Sequence, residues 1–126
     1  MADYSKAIEL NPKSTLAFSF RGELKFKLQD FRGAIADYGK VIELDPKDVS
    51  TYIDRGSAKH NLRRYIESIE DFDKAIAIDP YNGSAYFHRG LAEILSTQKN
   101  KGCVSLSKAG ELGFAEAYKC ISFYCK

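Results

Sequence analysis

The phrase Glu-Leu-Asn-Pro at residues 9–12 returns as Glu-Leu-Asp-Pro at 43–46 and as Ala-Ile-Asp-Pro at 77–80. The chain has three prolines, and they are spaced 34 residues apart. A fixed period of this size is typical of stacked repeats rather than of a single globular core. Each phrase also predicts the end of a helix, because proline cannot continue the helical hydrogen-bond ladder and restricts the residue before it.

Each repeat is predicted to contain two helices. In the first complete copy, residues 14–28 and 31–44 both have helical apolar spacing, and the polar pair Gln29-Asp30 separates them. Glycine in a helix costs about 0.5–1 kcal/mol relative to alanine, so glycines that recur in one phase indicate close approach of the two helices. The glycines, and the bulky residues expected to press on them, are Gly22 with Tyr38, Gly56 with Phe72 and Gly90 with Leu106.

These residues carry a family resemblance. An aromatic residue is followed by glycine four positions later, then by a small residue, an aromatic or leucine, and a terminal Asp-Pro. This pattern resembles the tetratricopeptide repeat, which implies an all-α solenoid, a right-handed superhelix of antiparallel helical hairpins. The expected units are a half repeat with the second helix only (2–12), repeats at 15–48 and 49–82, a degenerate repeat at 83–114 and a C-terminal capping helix at 115–126. The last segment resembles the closing segment of many bacterial members.

Recurring charges suggest how the repeats stack. An aspartate and an arginine each return at the same period, and pairing each aspartate with the arginine of the next repeat gives three complete ion pairs. Pairing within a repeat would instead leave the third arginine facing a serine. We therefore predict the structural ion pairs Asp3 with Arg21, Asp37 with Arg55 and Asp71 with Arg89.

The resemblance implies that the first helix of each hairpin lines a concave groove that binds a protein or peptide. Large apolar residues in this projection favour an apolar peptide or an amphipathic helix, and Glu23 disfavours an acidic chaperone tail. In the third repeat, Phe87 and Leu91 are equally well explained as residues covered by the C-terminal helix. The groove candidates are Leu16, Ser19, Glu23, Phe26, Lys27, Ile53, Ser57, His60, Asn61, Phe87 and Leu91.

The predicted function is therefore that of a protein-interaction module or scaffold. The alternative is a self-assembling segment that forms a homodimer through the uncovered N-terminal helix, with Tyr4, Ile8 and Leu10 at the contact. No catalytic motif is present, so we predict neither an enzyme nor a cofactor. His60 and His88 have no zinc-motif context, so no metal is predicted either.

Composition excludes other classes. A net charge of +2 is too small to indicate nucleic-acid binding, and no apolar stretch approaches the roughly eighteen residues of a membrane span. The chain does not begin with a secretory signal, so we expect a cytoplasmic location. Three cysteines, an odd number, favour reduced thiols there. A bridge from Cys103 to Cys120 or Cys125 stays open as the lesser alternative.

Overall fold

The computed structural model describes residues 2–11 and 13–126, with side chains from residue 5 onward. Over this part of the chain it has eight α-helices and no strand, which confirms the predicted all-α fold. Each helix packs against the next one along the chain. The helices are α1 (Ala2–Leu10), α2 (Thr15–Lys27), α3 (Phe31–Leu44), α4 (Val49–Asn61), α5 (Tyr65–Ile78), α6 (Gly83–Leu95), α7 (Lys99–Glu111) and α8 (Glu116–Tyr124).

The first helix of each complete hairpin begins at a side-chain cap. Ser14, Asp48 and Asn82 precede α2, α4 and α6, and each side chain accepts a hydrogen bond from the backbone N–H three residues later, at 3.1–3.3 Å. Such caps satisfy backbone donors that the helix leaves free, and losing one costs about 1 kcal/mol. The helix starts therefore follow from short polar residues that stand two positions after each proline.

The turn inside each hairpin has an unusual backbone. Gln29, Arg63 and Thr97 lie at equivalent positions and have φ values of 63°, 62° and 69°. The following amide hydrogen-bonds back across the end of the helix, for example from the N–H of Asp30 to the carbonyl oxygen of Lys25 at 2.8 Å. This is the Schellman arrangement, in which glycine is the usual left-handed residue. Three non-glycine residues hold the strained position in this chain.

The recurring glycines are sites of close helix approach, as predicted. A Cβ atom at Gly22 would lie 2.7 Å from the ring of Tyr38, and one at Gly56 would lie 2.6 Å from the ring of Phe72. At Gly90 the corresponding atom would meet a backbone carbonyl oxygen at 2.9 Å. Any larger residue at these positions would push the two helices of the hairpin apart.

The ion pairs differ from the prediction. Arg21 donates to Asp37 at 2.6 Å, and Arg55 donates to Asp71 at 2.7 Å. Both pairs join the two helices of one hairpin, so the pairing predicted for Asp37 with Arg55 and for Asp71 with Arg89 is wrong. The antiparallel arrangement explains the difference, because it places the middle of the first helix beside the middle of the second.

Two of the three recurring arginines, Arg21 and Arg89, contact the preceding repeat, although through another position than the predicted one. Nη1 of Arg21 donates to Oγ of Ser5 at 3.2 Å, and Nη1 of Arg89 donates to Asp73 at 2.9 Å. Ser5 and Asp73 are equivalent residues, two positions beyond the predicted aspartates. The side chain of Asp3, the predicted partner of Arg21, lies outside the described part of the structure.

The third hairpin has different residues at two positions around its arginine. Lys25 and Lys59 assist the arginines of the first two hairpins by pairing with the same aspartates at 3.2 and 3.0 Å. In the third hairpin Glu93 stands at the lysine position and Ser105 at the aspartate position. Ser105 accepts from Arg89 at 3.2 Å and donates to Glu93 at 2.5 Å. Moving the carboxylate from one helix to the other keeps a charge partner beside the arginine.

The C-terminal helix is attached covalently. Cys103 on α7 and Cys125, just after α8, form a disulfide, and Cys120 is the free cysteine. The predicted reduced thiols are therefore wrong for this pair, because the return of α8 along α7 brings the two sulfur atoms together. Disulfides persist in oxidising compartments, so this bond argues against the cytoplasmic location that we expected from the sequence. Ala117 is fully buried between the two helices.

Candidate functional site

Two cavities lie in line along the first helices of the hairpins, α2, α4 and α6. The first has a volume of about 220 Å³ and the second a volume of about 200 Å³. Phe26 and Ser57 line both, so the cavities form one continuous surface, which we call the groove. The first cavity is lined by Glu23, Phe26, Lys27, Tyr38, Asp54 and Ser57. The second is lined by Phe26, Ser57, His60, Asn61, His88 and Leu91.

The two cavities are the same site on successive hairpins. A shift by one period of 34 residues converts five of the six lining residues of the first cavity into lining residues of the second, and the exception is Tyr38. Under this shift Glu23 becomes Ser57, and Asp54 becomes His88. The backbone geometry thus repeats, whereas the carboxylates of the first cavity are absent from the described residues that form the equivalent lining of the second.

The first cavity contains carboxylates that lack a cationic partner. Neither Glu23 nor Asp54 takes part in any ion pair or hydrogen bond among the described side chains. Burial raises the pKa of Asp54 to about 6, and the negative charges of Glu23 and Asp48 add to the shift. Burial raises the pKa of Tyr38, and the negative charges of Asp54 and Glu23 add to this shift.

The second cavity is lined by no carboxylate, ammonium or guanidinium group from the described part of the chain. Burial, together with the neighbouring His88, lowers the pKa of His60, so its imidazole is neutral at neutral pH. Nδ1 of His88 donates to the backbone carbonyl oxygen of Ser84 at 2.7 Å, which fixes the orientation of the ring. With the half-buried Leu91 beside them, the imidazoles form a weakly polar surface.

A larger cavity of about 540 Å³ lies on α5, α6 and α7. Three of its four charged groups satisfy one another, since Arg89 contacts Asp73 at 2.9 Å and Glu93 at 3.7 Å, and Glu93 accepts from Ser105. The fourth is Lys101. We therefore assign this cavity a structural role. Over the described residues, no group of three or more His, Cys, Asp or Glu side chains could hold a metal ion, and no helix is long and apolar enough to span a membrane.

Comparisons with known proteins agree with the repeat geometry. A family model described as TPR repeat matches residues 22–62, and one described as Tetratricopeptide repeat matches residues 49–82. The chain is a tetratricopeptide-repeat protein. None of the curated proteins matches this tetratricopeptide-repeat chain significantly in sequence.

Solved tetratricopeptide-repeat structures share the fold. The crystal structure of MamA superimposes with a TM-score of 0.90 at 22% identity, covering 96% of this chain and 72% of MamA. The first TPR domain of Spaghetti (RPAP3), bound to the HSP90 peptide SRMEEVD, gives 0.84 at 23% identity, with 88% and 90% covered. The TPR2B domain of yeast Sti1, in a complex with an Hsp70 peptide, gives 0.76 at 26% identity, with 78% of each chain covered.

Most of the groove residues predicted from the tetratricopeptide-repeat pattern line the cavities, but four do not. Leu16 is 63% exposed at the start of α2, and Ser19 lines neither cavity. Ile53 packs into the core cluster that contains Tyr52. The residues that line a cavity as predicted are Glu23, Phe26, Lys27, Ser57, His60, Asn61 and Leu91.

Phe87 is the clearest correction. It is only 8% exposed, and its ring centroid lies 4.7 Å from that of Phe114. It therefore belongs to the core beneath the C-terminal segment, in agreement with the alternative that the sequence left open.

The prediction missed Tyr38, Asp54 and His88. Asp54 and His88 are equivalent positions beside the predicted face of the first helix, and Tyr38 was assigned to packing alone. A signal for Tyr38 was present, because its equivalents Phe72 and Leu106 have no polar atom.

Proposed function

We propose that the groove binds a segment of a partner protein, so that the chain acts as an interaction module or scaffold. The observation that carries this proposal is the pair of equivalent cavities joined at Phe26 and Ser57. Each cavity is smaller than the roughly 300–1,000 Å³ of small-molecule sites. Two small cavities in line suit successive side chains of one peptide or helix.

Relatives support a peptide partner of a general kind. The RPAP3 domain binds SRMEEVD and the Sti1 domain is complexed with an Hsp70 peptide, although both resemble this chain mainly in fold. Three of the seven residues in SRMEEVD are acidic, whereas Glu23 and Asp54 supply negative charge to the groove. Like charges brought together at an interface oppose binding. We therefore propose a partner other than an acidic chaperone tail.

The family also favours binding over catalysis. Tetratricopeptide-repeat proteins are in general interaction modules, and we propose no reaction for this chain. The titratable groups of the groove serve recognition in this proposal.

The test is a selection of randomised dodecapeptides displayed on phage, with the immobilised protein as the target. Selected peptides are synthesised, and their dissociation constants are measured for the wild type, Phe26→Ala and the control Phe123→Ala. Phe123 is 74% exposed and lies on α8, away from both cavities. Truncating a central aromatic residue costs more than 1 kcal/mol at many interfaces, so Phe26→Ala should weaken binding about tenfold. Equal binding by all three proteins would refute the proposal.

Self-assembly is the second candidate. Leu10, at the end of α1, is 79% exposed, which favours an apolar contact there. Ile8 is half-buried, and the side chain of Tyr4 lies outside the described part of the structure. Light scattering over a concentration series should show a dimer that Leu10→Glu dissociates if this candidate is correct. A monomer at all concentrations would exclude it.

A further inference from the structure

We propose that the first cavity of the groove binds a lysine or arginine side chain of the partner segment. Glu23 and Asp54 are the carboxylates that would accept its N–H groups, and the hydroxyl of Tyr38 is a third acceptor at the same cavity. This inference rests on the proposed function and specifies the chemistry of the partner.

Charge complementarity is the first support. Elsewhere in the chain, the buried aspartates each have two cations, as Asp37 has Arg21 at 2.6 Å and Lys25 at 3.2 Å. Asp54 is half-buried beside Glu23 and has no cation of its own among the described residues. A buried carboxylate without a partner is costly, so a cation from outside would complete an arrangement that the protein completes internally at its other sites.

Tyr38 gives the second, independent support. The side chain is only 3% exposed, it lines the cavity, and its hydroxyl makes no hydrogen bond with any described residue. No fully buried polar atom of the described residues is without a partner, so the hydroxyl must retain its small exposed area, which opens into the cavity. Buried hydroxyl groups normally have a hydrogen-bond partner.

Packing does not require this hydroxyl. Phe72 occupies the equivalent position in the next hairpin and presses on Gly56 as closely as Tyr38 presses on Gly22. Because a phenylalanine packs against the glycine in the same way, the hydroxyl oxygen of Tyr38 is not needed for packing and is available for a ligand. The same comparison predicts that Tyr38→Phe folds normally.

The rest of the lining extends the specificity. The aromatic ring of Phe26 forms part of the wall, and an aromatic face attracts cations. The adjoining cavity has no carboxylate among the described residues of its lining and contains His60 and Leu91, so we expect an uncharged or apolar residue beside the basic one. Lys27 is the opposing charge at the exposed rim, and Lys27→Gln should therefore strengthen binding.

The experiment uses the same phage-displayed dodecapeptides on the whole chain, followed by affinity measurements for each selected peptide at low and high salt. The variants are the double substitution Glu23→Gln/Asp54→Asn and the single substitution Tyr38→Phe. Glu70→Gln is the matched control, because Glu70 is an exposed carboxylate on α5 that lines neither cavity. Replacing the basic residue of the peptide by norleucine removes its charge and keeps an alkyl chain.

We expect selected peptides to contain a lysine or arginine whose replacement by norleucine weakens binding about tenfold or more, as for a charge-assisted hydrogen bond. The double variant should lose a similar factor, Tyr38→Phe about threefold, and Glu70→Gln nothing. Salt should weaken binding to the wild type more than to the double variant.

The outcomes separate the two proposals. Peptides that depend on Phe26 but lack a basic residue, or bind the double variant as tightly as the wild type, would overturn the cation site and leave the proposed function standing. If no selected peptide depends on Phe26, both proposals are overturned.

Discussion

Replacing Asp54 by asparagine should stabilise the folded protein at neutral pH. The folded chain raises the pKa of this carboxyl to about 6 from an ordinary value of 3.8. A group whose pKa is raised on folding adds stability below its unfolded pKa and loses that contribution as pH rises through the folded pKa. Above about pH 7 the ionised Asp54 therefore disfavours the fold, and asparagine removes this penalty.

The magnitude follows from the shift. About two pKa units correspond to about 3 kcal/mol, which is an upper bound. Because Asp54 is only half-buried, solvent screening reduces the effect, and we expect about 1–2 kcal/mol. For a chain of this length, that change raises the melting temperature by about 4–8 °C.

Thermal unfolding followed by circular dichroism at a series of pH values measures the effect. The difference between Asp54→Asn and wild type should be largest above about pH 7 and should vanish near pH 3, below the unfolded pKa of 3.8, where the aspartate is neutral in both states. Glu70→Gln, which removes an exposed carboxylate, should have the same melting temperature as the wild type at both the high and the low end of the pH series. A variant that melts at or below the wild-type temperature near pH 7.5, or a difference that persists undiminished near pH 3, would refute this account of Asp54.

Three further predictions concern the fold. Gly56→Ala should lower the free energy of unfolding by about 1–3 kcal/mol, because its Cβ would lie 2.6 Å from the ring of Phe72. Gly39→Ala should raise it by about 0.5–1 kcal/mol, because the nearest atom to its Cβ would be 3.9 Å away. Urea titration measures both changes. Arg63→Gly should raise the free energy of unfolding by up to about 1 kcal/mol, because φ is 62° at this turn and glycine adopts this left-handed conformation without strain. A lower melting temperature for this variant would contradict the prediction. Breaking the bond between Cys103 and Cys125 with dithiothreitol should cost about 3 kcal/mol for a loop of 22 residues. Alkylation followed by mass spectrometry should label one cysteine before reduction and three after it.

The helices and their packing could be predicted because one packing problem recurs. Every hairpin has to bring two helices together, and the solution leaves a glycine beside a bulky residue each time, as at Gly22 and Tyr38. The ion pairs could not be predicted in the same way. A period of 34 residues states that Arg55 and Asp71 recur, but it does not state which copies meet. Which aspartate meets which arginine depends on how the second helix of a hairpin is aligned against the first.

The groove was predicted in part for a related reason. Projection onto one helix identified Glu23 and Phe26, but it could not identify a side chain that reaches the groove from the second helix. Tyr38 does so by passing over the glycine that the sequence had already identified. The disulfide was left open because spacing along the chain does not show how closely α8 returns along α7.

A comparison of equivalent positions within the chain separates packing from recognition. The glycines and arginines of the hairpins are unchanged from copy to copy, because each copy meets the same neighbour. The groove positions diverge, from Glu23 to Ser57 to Leu91 in one series. A ligand of changing chemistry along its length would require such divergence, whereas a purely structural face would not. The groove positions are therefore where substitutions should alter binding while leaving the fold intact.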